Sequence, residues 1–369
     1  MEKRVRGAKI LLLTTGGTIA STASEGGFVP SLSGEELLSE TNSSFNELNE
    51  YETETLSLFS KDSSNMHPKD WLVMAEGIRQ NAQGKDAVVL LHGTDTLAWT
   101  SSSLSYLLRD FPTPVVLTGS MLPPGESDSD APDNIAAAFR FASRLAADSR
   151  KGVSVAFDGL LIHGPRATKI DSHRKRAFVS VDYPLLGKAR GEERRDVFLT
   201  GKIPNFSSKC FWDETPVFET EIALVPLFPG MRAASLDALV ATASGANANR
   251  ANANRANAPK AVVLEGYGLG GVPYIGENLL PSIEKGIQSG IPFVLRTQSP
   301  FGGTDPSIYE VGRKALDLGV LSAGNMTREA LMTKLMLLLP LFKGQELAAS
   351  LGTNFCDEIP DEIPEKSED

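Results

Sequence analysis

Cysteine is scarce in this chain: Cys210 and Cys356 are the two among 369 residues. So sparse a supply excludes a disulfide framework and fits a reducing compartment, with two unrelated free thiols. Long apolar runs are missing too, since nothing approaches the roughly 20 consecutive apolar residues of a membrane span. The N-terminus is basic, but only about five apolar residues follow it, too few for the core of a secretory signal. These absences predict a cytoplasmic protein that does not enter a membrane. Positive charge is also short. The 36 Lys and Arg face 46 Asp and Glu, a net charge of −10. Nucleic acid is therefore not expected as a partner, because phosphate backbones call for a basic surface. A small anionic substrate is still allowed at a locally positive site. The four histidines, His67, His92, His163 and His173, are scattered without metal-ligand spacing, so no metal site is expected. Dinucleotide, Walker and nucleophile-elbow glycine motifs are absent as well.

What is present is a repeated pattern of buried strand followed by helix. Residues 10–13, 87–91 and 115–118 are short, wholly apolar runs, the mark of strands covered on both faces of a parallel sheet. Further strands are predicted over 53–59, 153–157 and 160–162. Helices are predicted to start near 35, to open at His67-Pro68 and run to about 83, and to span 98–109 and 134–147. From 188 to 216 the period is lost. A second block then alternates strands (222–227, 261–264, 293–296) with helices (236–243, 279–288, 309–319, 327–339, 343–351). The expected fold is α/β: a larger N-terminal domain with a mostly parallel sheet flanked by helices, and a smaller C-terminal α/β domain. The expected boundaries are 1–189, a linker over 190–218, and 219–369. Within the last, 245–258 is an Ala/Asn/Arg tandem repeat without residues to build a core, and 357–369 is an acidic tail expected to be disordered. That tail holds seven acids and one lysine.

The strand ends carry the chemistry. The first run leads into Thr14-Thr15-Gly16-Gly17-Thr18, so Thr18 sits beyond the carboxyl end of a strand, where ligands bind in open α/β sheets. Other ends deliver Asp62 and Ser63, then Thr94 and Asp95, then Ser120, and Lys169 follows the 160–162 strand. Read singly, each hydroxyl is as well explained by bonding to its own loop. Together, threonines, an aspartate and a lysine suggest nucleophilic catalysis without histidine. A threonine hydroxyl needs a neighbouring base, which a lysine can supply when an aspartate orients it. His92 is expected to orient backbone or pack at its strand end. The glycine-rich stretch 21–30 reads either as a lid or as a plain surface connection.

These motifs resemble the bacterial-type L-asparaginase family, in its cytoplasmic type I group. Thr15-Gly16-Gly17-Thr18-Ile19-Ala20 is similar to the first family signature, and Leu91-His92-Gly93-Thr94-Asp95-Thr96 to the second. Gly119-Ser120, residues 164–169, Glu265-Gly266-Tyr267-Gly268 and Ile308-Tyr309-Glu310-Val311-Gly312 extend the likeness. The resemblance implies hydrolysis of L-asparagine to L-aspartate and ammonia through an acyl-enzyme on Thr18. It implies a second triad of Thr94, Asp95 and Lys169, with Asp95 also binding the substrate ammonium. Asp62, Ser63, Ser64, Gly93 and Ser120 are implied as substrate-binding residues. No metal or organic cofactor is implied, and a homodimer or homotetramer is.

Two positions depart from the family pattern. Phe28 stands where many members carry a lid tyrosine, so it offers no hydroxyl. Glu265 stands where some type I members use an arginine in an allosteric asparagine site, and a carboxylate there should repel the effector. Two rival readings are kept. One is the ammonia-supplying subunit of a tRNA-dependent amidotransferase, which usually has an extra N-terminal domain, whereas here the first strand begins near residue 9. The other is a catalytically silent aspartate- or asparagine-binding protein.

Overall fold

Four consecutive side chains, Ile10, Leu11, Leu12 and Leu13, are wholly buried, which demands cover on both faces of their strand. In the computed structural model, which describes residues 7–24, 27–30, 33–45, 48–190, 196–212, 215–244 and 259–360, helices supply that cover. The chain runs through β1 (Lys9–Gly16), β2 (Ser21–Ser24), β3 (Gly27–Pro30), α1 (Gly34–Phe45), β4 (Glu52–Lys61), α2 (Pro68–Asn81) and β5 (Ala87–Leu91). It continues with α3 (Leu97–Leu107), β6 (Val115–Thr118), α4 (Ala131–Ala147), β7 (Val153–Phe157), β8 (Leu160–His163), β9 (Ala167–Lys169) and β10 (Phe178–Ser180). Strands β11 (Gly187–Arg190) and β12 (Asp196–Leu199) complete the first unit. Its eight-stranded sheet has the order β12-β11-β8-β7-β6-β5-β1-β4. From β4 to β7 all pairs are parallel, and β8, β11 and β12 add antiparallel pairs.

This order places the site. The connection after β1 leads to β4 on one side, and the connection after β5 leads to β6 on the other. The carboxyl ends of β1 and β5 therefore flank a topological switch point, where the two following loops diverge and leave a crevice.

A second unit follows: β13 (Ile222–Pro226), α5 (Ala233–Ser244), β14 (Ala261–Gly266), α6 (Leu280–Gln288), β15 (Phe293–Thr297), α7 (Glu310–Asp317), β16 (Leu321–Ser322), α8 (Arg328–Leu338) and α9 (Gly344–Leu351). Its four strands are parallel in the order β13-β14-β15-β16. Leu236, Leu264, Ile283, Phe293 and Leu295 are wholly buried in its core. The α/β class and the pairing of a larger mixed sheet with a smaller parallel one agree with the sequence reading.

The differences have physical causes. The stretch 21–30, without apolar period, forms the antiparallel hairpin β2–β3, in which Ala23 pairs with Phe28. Backbone pairing does not need an apolar stripe. Residues 196–199, assigned to the linker, form β12 and pair with β11 from Gly187↔Leu199 to Arg190↔Asp196. The compact units divide between Lys209 and Cys210, and Phe355–Glu358 return to the first unit. Asp357 and Glu358, assigned to an open acidic tail, are accordingly buried. The repeat 245–258 and the tail 361–369 lie outside the described residues. Among those described, no helix is long and apolar enough to cross a membrane.

Helix α4 carries much of the first core, burying Ile135, Ala138, Phe139 and Ala142, with the Phe139 ring 5.6 Å from that of Tyr51. Truncating Phe139 to alanine leaves a cavity between helix and sheet. It should cost about 3–5 kcal/mol, read as a lower urea midpoint of unfolding.

Candidate active site

Glycines let the strand ends converge. Gly17 has φ +84, and a Cβ on it would lie 2.3 Å from the Cα of Gly93. Gly93 in turn lies so close to Ser63 that its own Cβ would fall 2.6 Å from Ser63 Oγ. The loops after β1 and β5 thus meet backbone to backbone, with the Ser63 side chain of the loop after β4 packed on Gly93, and a side chain on Gly17 would force the backbones apart. The Thr15 hydroxyl donates to Leu91 O at 2.9 Å and pins the end of β1 to that of β5. Thr18, half-buried, begins the short 3-10 turn Thr18–Ala20 just beyond this contact.

Five of the expected residues join in one hydrogen-bonded group. Lys169 Nζ donates to Thr94 Oγ1 at 2.9 Å and to Asp95 Oδ1 at 2.7 Å. Ser64 Oγ donates to the other Asp95 oxygen at 3.3 Å. Asp95 N donates to Ser63 Oγ at 3.2 Å, and Thr96 Oγ1 donates to Ser63 O at 2.7 Å. The Asp95 side chain is 60% exposed while that of Lys169 is 18% exposed. One carboxylate face is therefore open to a ligand, whereas the lysine is largely enclosed. Asp62 caps the turn Ser63–Asn65 by accepting from Ser64 N at 2.8 Å. Ser120, fully buried at the end of β6, has a hydroxyl without a hydrogen-bond partner among the described residues. Among those residues, too, no group of three or more His, Cys, Asp or Glu side chains could hold a metal ion.

Supporting residues that the sequence reading did not name surround this group. Asp130 accepts from Met121 N and Leu122 N, each at 3.0 Å, and Asn134 Nδ2 donates to Gly119 O at 3.0 Å, which shapes the loop carrying Ser120. Lys61 Nζ pairs with Asp70 Oδ1 at 2.6 Å, tying the end of β4 to the start of α2 around Asp62 and Ser63. The His67-x-x-Asp70 spacing of a helix capping box was the available signal for Asp70. Glu265 also takes a corrected role. It is buried between Arg296 and Arg328, whose guanidinium Nε lies 2.7 Å from its carboxylate. The expected repulsion of a carboxylate ligand assumed a free charge, and these arginines neutralise it.

His92 is wholly buried, and its ring completes a directional chain. Trp71 Nε1 can only donate, and it does so to Thr100 Oγ1 at 3.1 Å. Thr100 then donates to His92 Nε2 at 3.0 Å, which leaves Nδ1–H to donate to Gly93 O at 2.7 Å. The neutral Nδ1–H tautomer thus follows from the partners. Burial lowers the His92 pKa from 6.5 to about 4, countered in part by the Gly93 carbonyl and the charge of Asp70.

Two outcomes follow from this geometry. Gly17→Ala should lower kcat/KM by on the order of 10²-fold by separating the two loops, measured with L-asparagine, the substrate that the sequence resemblance implies, at saturation and below. Between pH 4 and 6.5 the unfolded chain protonates His92 and the folded chain does not. Stability from this ring is therefore complete above the unfolded pKa and is lost as pH falls toward 4, by on the order of 3 kcal/mol. Urea midpoints at pH 7 and pH 5 should differ less in His92→Asn than in the natural chain.

Comparison with known proteins places these residues in a family. The family described as Asparaginase, N-terminal matches residues 9–200, and that described as Glutaminase/Asparaginase C-terminal domain matches residues 221–348. The L-asparaginase of Thermococcus kodakarensis is 38% identical over 328 residues, covering 89% of this chain and 92% of that protein. The solved structure of the thermostable L-asparaginase from that organism superposes with a TM-score of 0.81 at 36% identity, covering 95% and 99% of the two chains. L-asparaginase I of Vibrio cholerae superposes with a TM-score of 0.76 at 26% identity, covering 96% and 99%. A glutamyl-tRNA(Gln) amidotransferase subunit of Pyrococcus furiosus is 30% identical, over 97% of this chain and 78% of that protein. With both domain descriptions matched in order and the paired threonine loops meeting at the switch point, the chain belongs to the L-asparaginase family.

Proposed function

We propose that this chain hydrolyses L-asparagine to L-aspartate and ammonia, with Thr18 as the nucleophile of an acyl-enzyme. The observation that carries the reading is the bond pair from Lys169 Nζ to Thr94 Oγ1 and Asp95 Oδ1, in the crevice whose other wall presents Thr18. Thr18 Oγ attacks the side-chain amide carbon while its proton passes to water, to be taken up in solution by the released ammonia, and gives a tetrahedral adduct. Lys169 donates to Thr94 Oγ1, so the proton of Thr94 is free to point at the departing amine. Ammonia leaves with that proton, and Lys169 restores it. Water then attacks the Thr18 ester and releases aspartate, returning the protons to Thr18 and the lysine. Positioning and proton relay of this kind account for the absence of any need for histidine at the reacting atoms.

The exposed face of Asp95 suits the substrate ammonium. The loop of Asp62, Ser63 and Ser64, with Gly93 and the buried hydroxyl of Ser120, supplies polar groups for the rest of the amino acid. Supporting the asparaginase reading over the amidotransferase one is the higher identity to the Thermococcus kodakarensis L-asparaginase, 38% against 30% for the Pyrococcus furiosus amidotransferase protein. The free thiols Cys210 and Cys356 fit a cytoplasmic setting. A homodimer or homotetramer is part of the proposal. Its support is the exposure of three neighbouring apolar side chains, Ile308, Tyr309 and Val311.

Steady-state ammonia release tests the assignment. Asparagine should exceed glutamine in kcat/KM by at least about tenfold, the usual worth of one methylene in a fitted pocket. Thr18→Ala should lose at least about 10³-fold in kcat, and Lys169→Met at least about 10²-fold. Wild-type turnover in Thr18→Ala would sink the mechanism. Phe28→Tyr asks whether a lid hydroxyl is missing, and a higher kcat would say that it is.

A further inference from the structure

After α9 the chain leaves the second unit, and Phe355–Glu358 join the first. These residues lie beyond both matched stretches. They are nonetheless core residues: Phe355, Cys356 and Glu358 have no exposed surface, and Asp357 has 2%. Two carboxylates can be buried only where each is paired or hydrogen-bonded. Glu358 accepts from the backbone N–H groups of Phe355 and Cys356, at 3.0 and 2.8 Å, and so closes its own turn. Asp357, in the left-handed region at φ 61, accepts from Tyr183 Oη at 2.6 Å and lies 3.3 Å from Lys202 Nζ. His163 Nε2 donates to Cys356 O at 2.6 Å, Ser207 N donates to Phe355 O at 2.8 Å, and the Phe355 ring meets Tyr106 edge-on.

A further bond leads to the active site. Arg166 is wholly buried, and its Nη1 donates to Glu358 O at 3.0 Å. Its Nε and Nη2 donate to Val181 O at 2.8 and 2.5 Å, and Val181 N donates back to Arg166 O at 2.9 Å. Arg166 and Val181 thereby close the base of the β9–β10 hairpin. Three residues on, Lys169 ends β9, paired with Phe178 of β10. The side chain that reaches Thr94 and Asp95 is therefore carried on a hairpin whose base is tied by Arg166 to Glu358. Burial lowers the Arg166 pKa to about 10, so the guanidinium is still a cation at neutral pH and needs every acceptor it has.

We propose that Phe355–Glu358 is a positioning element of the active site, holding Lys169 in place through Arg166. The proposal rests on the reading of Lys169 given above. A displaced lysine would slow the chemical steps while leaving substrate binding by other loops in place, so kcat and KM should part. Ammonia release is compared in the full chain, a chain ending after Pro360 and a chain ending after Asn354, at temperatures well below each melting point. The chain ending after Pro360 should match the full chain. The chain ending after Asn354 should lose on the order of 10- to 100-fold in kcat with little change in KM. If that chain does not fold, Asp357→Gly in the full chain carries the test, because glycine keeps the left-handed turn while removing the carboxylate. Its kcat should fall several-fold, and Asp357→Asn, which keeps both the turn and an acceptor for Tyr183, should recover most of that loss. The proposal is overturned by full kcat in the chain ending after Asn354 or in Asp357→Gly. A change confined to KM, no recovery in Asp357→Asn, or an equal loss in the chain ending after Pro360 also overturns it. Lys169→Met in the full chain keeps the two readings apart: loss of kcat there beside full kcat in Asp357→Gly faults the segment alone, whereas wild-type turnover there faults the role of Lys169 and the proposal with it.

Discussion

Between β1 and β5 two backbones pass with only α-hydrogens separating them. A Cβ on Gly17 would sit 2.3 Å from the Cα of Gly93. That approach sets how near Thr18 can come to Thr94, because each threonine follows its glycine directly. The strand order makes it possible: β1 and β5 are neighbours whose following loops part to opposite sides. A buried bond from Thr15 to Leu91 O then ties the two ends together, and one from His92 to Gly93 O fixes the loop after β5. The fold thus brings about the crevice, and the glycines set its width.

Within the crevice the charged groups are arranged by unequal exposure. Asp95 faces outward and Lys169 is drawn in beneath it. An enclosed ammonium is stable there because it donates to both Asp95 and Thr94. The same logic recurs behind the site, where Arg166 is buried against carbonyl oxygens and Glu358 is buried against backbone N–H groups. In the second unit Glu265 is neutralised by Arg296 and Arg328. Each of these buried charges is answered within its own unit.

Much of this was legible beforehand for a stated reason. A strand buried on both faces leaves an unbroken apolar run, so 10–13, 87–91 and 115–118 declared themselves, and the residues just beyond them were the natural places to look for chemistry. Thr94 and Asp95 were named on that ground, Ser63 and Lys169 at the ends of other strands and Ser64 through the family resemblance, and all five lie in one hydrogen-bonded group. The hairpin β2–β3 and strand β12 were not legible, since their pairing is backbone work that polar side chains neither require nor announce. The burial of Asp357 and Glu358 ran against their composition. In a run of acids they read as solvated tail, and partners that include Tyr183, Lys202, Arg166 and the N–H groups of Asn205, Phe355 and Cys356 make their burial tolerable.

The sequence by itself determined the α/β class, the order of the apolar strands along the chain and the identity of the polar residues at their ends. These are local properties, set by apolar runs, glycines and helix starts that neighbours in sequence decide. Only the tertiary structure decided which strand ends stand side by side, that Lys169 arrives from a hairpin 74 residues beyond Asp95, and that the acidic stretch after α9 folds back beneath that hairpin. Those outcomes depend on strand order and on partners distant in sequence, and no local period or composition encodes either.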